Sequence, residues 1–404
     1  MNELTRKARL LRLGLTLKTY EARRRVMAAA RVLAHGEQQA PDVRMERVRQ
    51  AIALAPVDKI PTVIEASGWS ARVTGMTLGD YCRDPMNATR AGIEAFEAVG
   101  NADALNYATY DPVVLSLAWM TRIKVPGREL AEDEPWQVEE AGLMTVEDYD
   151  AILKVGWPAF SVTFLNERVD GAYDRALGYL ERIPELVEAA RTAGVPFLNN
   201  GGVTTPFELL CGGRSLTQFV FDLYRMPDKV QAVMDAMMPG LNDAAILMNT
   251  SLGVPGMWVG GWRSASKMLA QPLWDRFVFP YLLQTVDQVA ASGLIPILHL
   301  DSDWTRDLAR FREFPAKTCI LSLDGMTDIH RAKEVLGDHL CIMGDVPPAL
   351  LSSGTPDEVY EYSSRLATEI GPTGFIMHSG CDIPLDAPLE NVKAMANAAA
   401  DAAV

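Results

Sequence analysis

The stretch ILHLDSDW, residues 297–304, joins a short apolar run to a group of polar side chains. This pattern predicts a buried strand that ends in turn residues. The stretches MGDVPP, residues 343–348, and MHSGCDIPLD, residues 377–386, have the same design. In a chain of alternating strands and helices, the carboxyl ends of parallel strands meet on one face, so we expect these segments to bring their polar residues together. Those residues are plausible ligands for a divalent metal: His299, Asp301, Asp303, Asp345, Cys381 and Asp382.

Eight short apolar segments are candidate strands, and longer amphipathic segments separate most of them. The candidates are residues 60–66, 102–108, 195–201, 256–262, 294–300, 318–325, 339–346 and 373–380. This alternation is typical of a parallel sheet covered on both faces, and eight such units close into a (β/α)8 barrel. An open doubly wound sheet is the alternative, because the absence of a glycine fingerprint for dinucleotides decides little between the two folds.

The chain has no Gly/Ser linker, charge block or repeat that would divide it into two domains. We expect residues 1–55 to form an N-terminal helical extension that packs outside the barrel and contacts a second subunit. Residues 56–404 are then the catalytic barrel. Residues 117–146 are rich in Pro, Glu and Asp. They are predicted to form a long excursion near the rim of the site.

Composition limits the classes of partner. The 404-residue chain is 49% hydrophobic and has a formal net charge of −14. This charge argues against binding to nucleic acid or to an anionic membrane, since both need a positive surface. The five cysteines have no paired spacing, and no apolar run has the length of a signal peptide or a membrane helix. We therefore expect a cytoplasmic protein without disulfide bonds.

Several motifs resemble the uroporphyrinogen decarboxylase superfamily, and within it the cobalamin-dependent methyltransferase branch. Beside the strand that ends in His299, they are MERVRQAIALAPVDKIPTV at residues 45–63, FDLYRMPDKVQAVMDAM at 221–237, MGDVPPALLSSGTPDEV at 343–359 and SGCDIPLDAPLENVKAM at 379–395. The last motif is the most specific. The resemblance implies a single (β/α)8 barrel, often a homodimer, with its site at the carboxyl-terminal mouth.

The turn after the first predicted strand discriminates between the two branches. Decarboxylases of the superfamily carry an arginine-rich turn here, which binds the carboxylates of a tetrapyrrole. This chain has EASGWSARV at residues 65–73, with an acid, a glycine and a tryptophan in place of paired arginines. Because buried carboxylates are costly without cationic partners, the sequence disfavours porphyrinogen decarboxylation.

The resemblance also implies a zinc site. Methyltransferases of the branch bind zinc through a His-x-Cys pair at one strand end and a cysteine at the last. His299 and Cys381 match the first and third of these positions, and Asp301 stands in place of the middle cysteine. Strand alternation puts His299 and Asp301 on the same side. Three further acids are candidates to complete the ligand set: Glu65, Asp324 and Asp345.

Each of these residues also has another interpretation. Asp301 is either a ligand with a catalytic role or a partner that orients His299. Glu65 is a candidate general acid, a ligand or a partner of Arg72. Four aromatic residues are predicted to line the mouth and contact an apolar or aromatic substrate, although large residues at strand ends often only fill space. They are Trp69, Tyr107, Trp258 and Trp262.

These patterns favour a zinc-dependent methyltransferase that moves a methyl group from a small O-methyl or N-methyl donor to cob(I)alamin. The chain has no Asp-x-His-x-x-Gly motif, so a separate corrinoid protein is expected to carry the cobalamin. A carboxylate in place of a thiolate makes the metal a stronger Lewis acid, which favours such a donor over coenzyme M as acceptor. The alternatives are transfer from methylcobalamin to a thiol or folate, decarboxylase- or lyase-like chemistry, and a non-catalytic binding protein.

Overall fold

A computed structural model describes residues 42–402 of the chain. Ten strands occur in this part: β1 (Val63–Ile64), β2 (Ala104–Tyr107), β3 (Ile123–Lys124), β4 (Gln137–Val138), β5 (Phe197–Thr204), β6 (Gly256–Gly261), β7 (Ile295–Leu300), β8 (Ile320–Leu323), β9 (Cys341–Val346) and β10 (Phe375–Ser379). Eight of them form one parallel sheet in the order β1-β2-β5-β6-β7-β8-β9-β10. The sheet closes where the Met377 amide donates to the Pro61 carbonyl at 2.8 Å. The fold is therefore a (β/α)8 barrel.

Seven of the eight predicted segments contain one barrel strand each, and the eighth, 195–201, covers the first part of β5, which continues to Thr204. The predicted fold class is therefore confirmed. The open doubly wound sheet is excluded, because β10 lies beside β1. Most residues of the eight barrel strands are buried, as expected for apolar runs covered on both faces.

Helices follow most strands and cover the outside of the barrel. Those in the described part are α1 (Val43–Ile52), α2 (Ser67–Thr74), α3 (Leu78–Arg83), α4 (Pro85–Val99), α5 (Val114–Trp119), α6 (Glu147–Val155), α7 (Trp157–Glu167), α8 (Ala172–Thr192), α9 (Pro206–Arg214), α10 (Leu216–Arg225), α11 (Pro227–Met237), α12 (Asp243–Ser251), α13 (Gln271–Phe277), α14 (Phe279–Ala291), α15 (Ile329–Leu336), α16 (Pro348–Ser353), α17 (Pro356–Glu369) and α18 (Leu389–Asp401). None of the helices described is long and apolar enough to cross a membrane.

Helix α1 is the described part of the predicted extension. Its buried residues Met45, Val48 and Ile52 share an apolar cluster with residues of the barrel strands, among them Val63 and Ile297. These contacts are at the amino-terminal end of the barrel, away from the predicted site. The contact with a second subunit was predicted for the extension as a whole, of which residues 1–41 lie outside the described part.

The predicted excursion at residues 117–146 contains the end of α5 and the two short antiparallel strands β3 and β4. The excursion approaches α9 closely, because Gly212 lies against the carbonyl of Trp119. Its first residues, 117–120, line a cavity of about 360 Å³ at the candidate site. The excursion therefore contributes to the wall of the site.

Candidate active site

Three predicted ligands meet at the carboxyl-terminal mouth of the barrel. His299 lies in β7, Asp301 directly follows that strand, and Cys381 follows β10. One ligand atom from each lies within 4.8 Å of those from the other two. The structure therefore brings these three predicted residues together.

The imidazole of His299 is held from both sides. Its Nε2 lies 3.3 Å from Asp301 Oδ1, and its Nδ1 lies 3.2 Å from the Ser322 hydroxyl on β8. Ser322 sits there because the parallel register pairs it with His299. A partner on Nδ1 leaves Nε2 to face the other two donors, which is how metal-binding imidazoles are usually oriented. The sequence analysis missed Ser322, whose position depends on the register between two strands.

The side chains around His299 stabilise a positive charge at this position. Burial alone would lower the pKa of His299, but hydrogen bonds with Asp301 and Cys381 raise that pKa well above its usual value. Burial raises the pKa of the Cys381 thiol to about 11, although His299 opposes the rise. A divalent metal among the three donors would replace this buried imidazolium by a neutral imidazole and the thiol by a thiolate. One nitrogen, one oxygen and one sulfur donor fit zinc.

Glu65 lies next to this cluster, directly after β1, in a buried hydrogen-bond network. Its Oε2 accepts a hydrogen bond from Asn106 Nδ2 at 2.5 Å and lies 3.5 Å from His378 Nε2. Asn199 donates in turn to Asn106 Oδ1 at 2.6 Å. Burial raises the pKa of Glu65, but the nearby imidazole of His378 and the charge of His299 outweigh it and lower the pKa below its usual value. The network therefore holds Glu65 as a carboxylate.

The sequence analysis missed the partners of Glu65. His378 precedes Cys381 by three residues, a spacing that would put the two on opposite sides of a continuous strand. Strand β10 ends at Ser379, so the alternation does not extend to Cys381. The alternative pairing of Glu65 with Arg72 is wrong, because Arg72 binds Asp133 instead, at 2.8 Å.

The remaining acids have other partners. Asp382 lies half-buried beside Glu65 and accepts a hydrogen bond from the Ser67 hydroxyl. Desolvation together with the charge of Glu65 raises the pKa of Asp382. Asp303 accepts from the Thr305 amide, Asp324 from the Ser302 amide and Asp345 from the Tyr362 hydroxyl. In the described part of the chain, none of these acids belongs to the group of three candidate ligands.

A cavity of about 360 Å³ opens above the three donors. Its polar end is formed by the cluster together with Glu65, Asp382 and Tyr107, and Trp258 lies beside His299 with ring centroids 6.1 Å apart. Most of the remaining wall is apolar or aromatic and includes Val114, Leu117, Trp119, Trp157, Leu180 and Met248. Among the described residues that line the cavity there is no arginine or lysine.

The four predicted aromatic residues separate into two pairs. Tyr107 and Trp258 line the cavity. Trp69 is 1% exposed in the hydrophobic core, where its indole Nε1 donates to the Ala387 carbonyl at 2.8 Å. Trp262 packs edge to face on the cavity residue Trp119 and is 39% exposed. Neither Trp69 nor Trp262 is among the described residues of the wall, so their positions do not support the predicted contact with substrate.

Comparison with known families agrees with this fold. The family model described as uroporphyrinogen decarboxylase (URO-D) matches residues 154–402, more than half of the chain. The chain therefore belongs to the uroporphyrinogen decarboxylase family, as its motifs indicated.

Individual relatives are distant. The chain is 23% identical over 269 residues to a uroporphyrinogen decarboxylase of Chlorobaculum tepidum, which covers 64% of this chain and 75% of the relative. It is 23% identical over 360 residues to the enzyme of that name from Syntrophotalea carbinolica, covering 83% and 92%. Among solved structures, a methyltransferase from Methanosarcina mazei superposes with a TM-score of 0.66 at 19% identity, covering 87% of this chain and 96% of the other. At that identity the superposition shows that the two chains share the barrel fold. The reaction has to be inferred from the side chains of the site.

Proposed function

We propose that this protein is a zinc-dependent methyltransferase that transfers a methyl group from an O-methyl or N-methyl compound to cob(I)alamin on a corrinoid partner protein. The observation that carries the proposal is the cluster of His299, Asp301 and Cys381 at the polar end of an otherwise apolar cavity. Zinc held by these three side chains would supply Lewis acidity toward the oxygen or nitrogen that loses the methyl group.

The side chains around the cluster orient the donor and exclude water. Tyr107 and Trp258 form aromatic walls at the polar end, and the aliphatic residues beyond them accept the rest of an uncharged molecule. Ser322 fixes the imidazole of His299, and Asn106 with His378 fixes the carboxylate of Glu65. Such preorganised groups restrict a bound donor to few orientations.

The charge of the cavity opposes the decarboxylase alternative. A porphyrinogen brings many carboxylates, each of which needs a cationic partner when buried. The described wall contains Glu65, Asp301 and Asp382 but no arginine or lysine. An uncharged methyl ether or a methylated amine avoids this repulsion, and the aromatic rings also favour a cationic amine.

The proposal is tested with purified protein, reduced cobalamin and three classes of methyl donor, namely methoxybenzenes, methylamines and betaine. We expect methylcobalamin to form, as followed by absorbance, and this activity to disappear on removal of zinc or in Cys381→Ala. Cys341→Ala is the matched control, because Cys341 is a buried cysteine outside the metal cluster.

Two results would contradict the proposal. Reaction of methylcobalamin with a thiol or folate, without reaction of any donor, would reverse the proposed direction. Decarboxylation of a porphyrinogen by the same preparation would assign it the chemistry of its named relatives.

A further inference from the structure

A second pocket of about 310 Å³ lies beside the candidate active site. Helix α5 contributes to both, since Ser116 lines this pocket while Val114 and Leu117 line the active-site cavity. The pocket differs from that cavity in its charge. Three arginines line it, namely Arg83, Arg128 and Arg175, against one carboxylate, that of Asp111.

Two of the three arginines have carboxylate partners on the exposed side. Arg83 pairs with Glu132 at 3.2 Å and Arg128 with Glu129 at 2.5 Å. Arg175 differs from both, because no carboxylate of the described residues is among its ion-pair partners and its guanidinium donates to the backbone carbonyl of Asp170. Its Nε is buried and has no hydrogen-bond partner in the described structure.

The surroundings of Arg175 disfavour its charge. Burial lowers the pKa of Arg175 and the nearby charge of Arg128 lowers it further, which together outweigh the opposing charges of Glu129, Asp170 and Asp111. The guanidinium groups of Arg128 and Arg175 are neighbours, and Nε of Arg175 has no acceptor among the described residues. An anion bound in the pocket would stabilise both charges. This arrangement is unusual in a chain whose net charge is −14.

Ser116 gives a second, independent indication of a ligand. The residue is 0% exposed and lines the same pocket, and its hydroxyl oxygen has no hydrogen-bond partner among the described residues. An unpaired buried hydroxyl costs free energy that a bound acceptor would recover.

We propose that this pocket binds the oxyanion group of a small molecule, either a carboxylate or a phosphate. Arg128 and Arg175 supply the guanidinium donors, and Ser116 supplies a hydroxyl donor. Guanidinium groups suit both anions, because their planar N–H donors match two oxygens at once. The site is distinct from the metal cluster and does not depend on the methyltransferase assignment. Its ligand would contact α5, whose other residues form the wall of the active-site cavity.

The test is calorimetric titration of the full chain with inorganic phosphate and, separately, with succinate, at a constant ionic strength set with chloride. We expect saturable binding of at least one probe, and Arg175→Gln to weaken it by about tenfold or more, as for the loss of a charge-assisted hydrogen bond. Stronger binding of phosphate indicates a phosphate-bearing ligand, and stronger binding of succinate a carboxylate-bearing one. Ser116→Ala should also weaken binding, while leaving both arginines in place.

Arg182→Gln is the matched control, because Arg182 lies on the same helix α8, pairs with Asp84 and Glu185, and is not among the residues that line the pocket. This variant should bind both probes as the wild type does. Anion binding at the metal cluster would survive Arg175→Gln and so would count against the proposal. Failure of the wild-type protein to bind either probe would also overturn it.

Discussion

His378 Nε2 lies 3.5 Å from Glu65 Oε2, across the seam where β10 meets β1. His378 lies in the last strand, which Cys381 follows, and Glu65 directly follows the first strand. The site is therefore complete only when the barrel is closed. Substitutions that weaken the contact between β10 and β1 should therefore also disturb the candidate active site.

The metal cluster gives the first prediction. His299→Ala and Cys381→Ala should lose most of their zinc, since each removes one of three protein ligands. Asp301→Cys should bind zinc more tightly, because a thiolate replaces a carboxylate. Ser322→Ala should weaken zinc binding by about 10- to 100-fold, as removal of a partner of a ligating histidine does. Elemental analysis and competition with a chelator measure these changes. Full zinc occupancy in both alanine variants would refute the ligand assignment.

The two tryptophans Trp258 and Trp69 should behave differently when replaced by smaller residues. Trp258→Ala should raise the KM for the methyl donor by about tenfold or more through the loss of apolar contact, with little loss of zinc. Trp69→Phe should leave KM unchanged and lower the free energy of unfolding by about 1–3 kcal/mol, because the buried Ala387 carbonyl loses its donor. Steady-state kinetics and urea denaturation of both variants check this. The opposite pattern would place Trp69 at the substrate.

A substitution at Gly212 tests the contact between the excursion and α9, and a substitution at Gly178 is its control. A Cβ at Gly212 would lie 1.9 Å from the Trp119 carbonyl oxygen. Gly212→Ala should therefore destabilise the protein by about 1–3 kcal/mol through overpacking, and should disturb the cavity wall at Trp119. In Gly178→Ala, within helix α8, the new methyl group meets nothing within 4 Å. That variant should gain about 0.5–1 kcal/mol. Denaturant midpoints of the two variants should shift in opposite directions, and equal shifts would argue against the close approach.

A partly buried group of ion pairs joins helix α1 to the barrel. Arg47, in helix α1, binds both Asp58 and the buried Asp103. Arg47→Met should lower the free energy of unfolding by about 3–5 kcal/mol, because Asp103 loses its closest cationic partner. Arg49→Met on the same helix is the control and should cost less than about 1 kcal/mol, since Arg49 only forms a surface pair with Glu46 at 3.8 Å. Similar costs for the two variants would show that the buried pair adds nothing.

Asp58 should make a small, pH-dependent contribution to stability. The hydrogen bond from Arg47 lowers the pKa of Asp58 to about 2, against about 3.9 for an unfolded chain. A lowered pKa stabilises the folded state above the unfolded value, and this stabilisation disappears as the pH falls from about 4 to about 2. The size should stay below about 1 kcal/mol, because the Asp58 side chain is 66% exposed. The stability difference between the wild type and Asp58→Asn should shrink over this interval. A constant difference between pH 5 and 2 would contradict the assignment.

Local patterns were enough to predict the fold. The alternation of apolar runs with amphipathic segments marks all eight barrel strands, because strand burial on both faces needs continuous apolar sequence. The same reasoning located His299 and Cys381 at strand ends, and the side-chain period of two put Asp301 beside His299. These properties depend on residues close together in the chain, so the sequence alone determined them.

The partners of these residues were decided only by the tertiary structure. Ser322 reaches His299 through the register between β7 and β8, and His378 reaches Glu65 through closure of the barrel. Trp69 looked like Trp258 in the sequence, but helix α2 buries it against Ala387. Register, closure and helix packing join residues far apart in the chain, and no local pattern encodes those distances. The amino-acid sequence by itself therefore determined the barrel and the strand ends that carry the candidate metal ligands. The tertiary structure decided which side chains orient those ligands and which aromatic residues face the cavity.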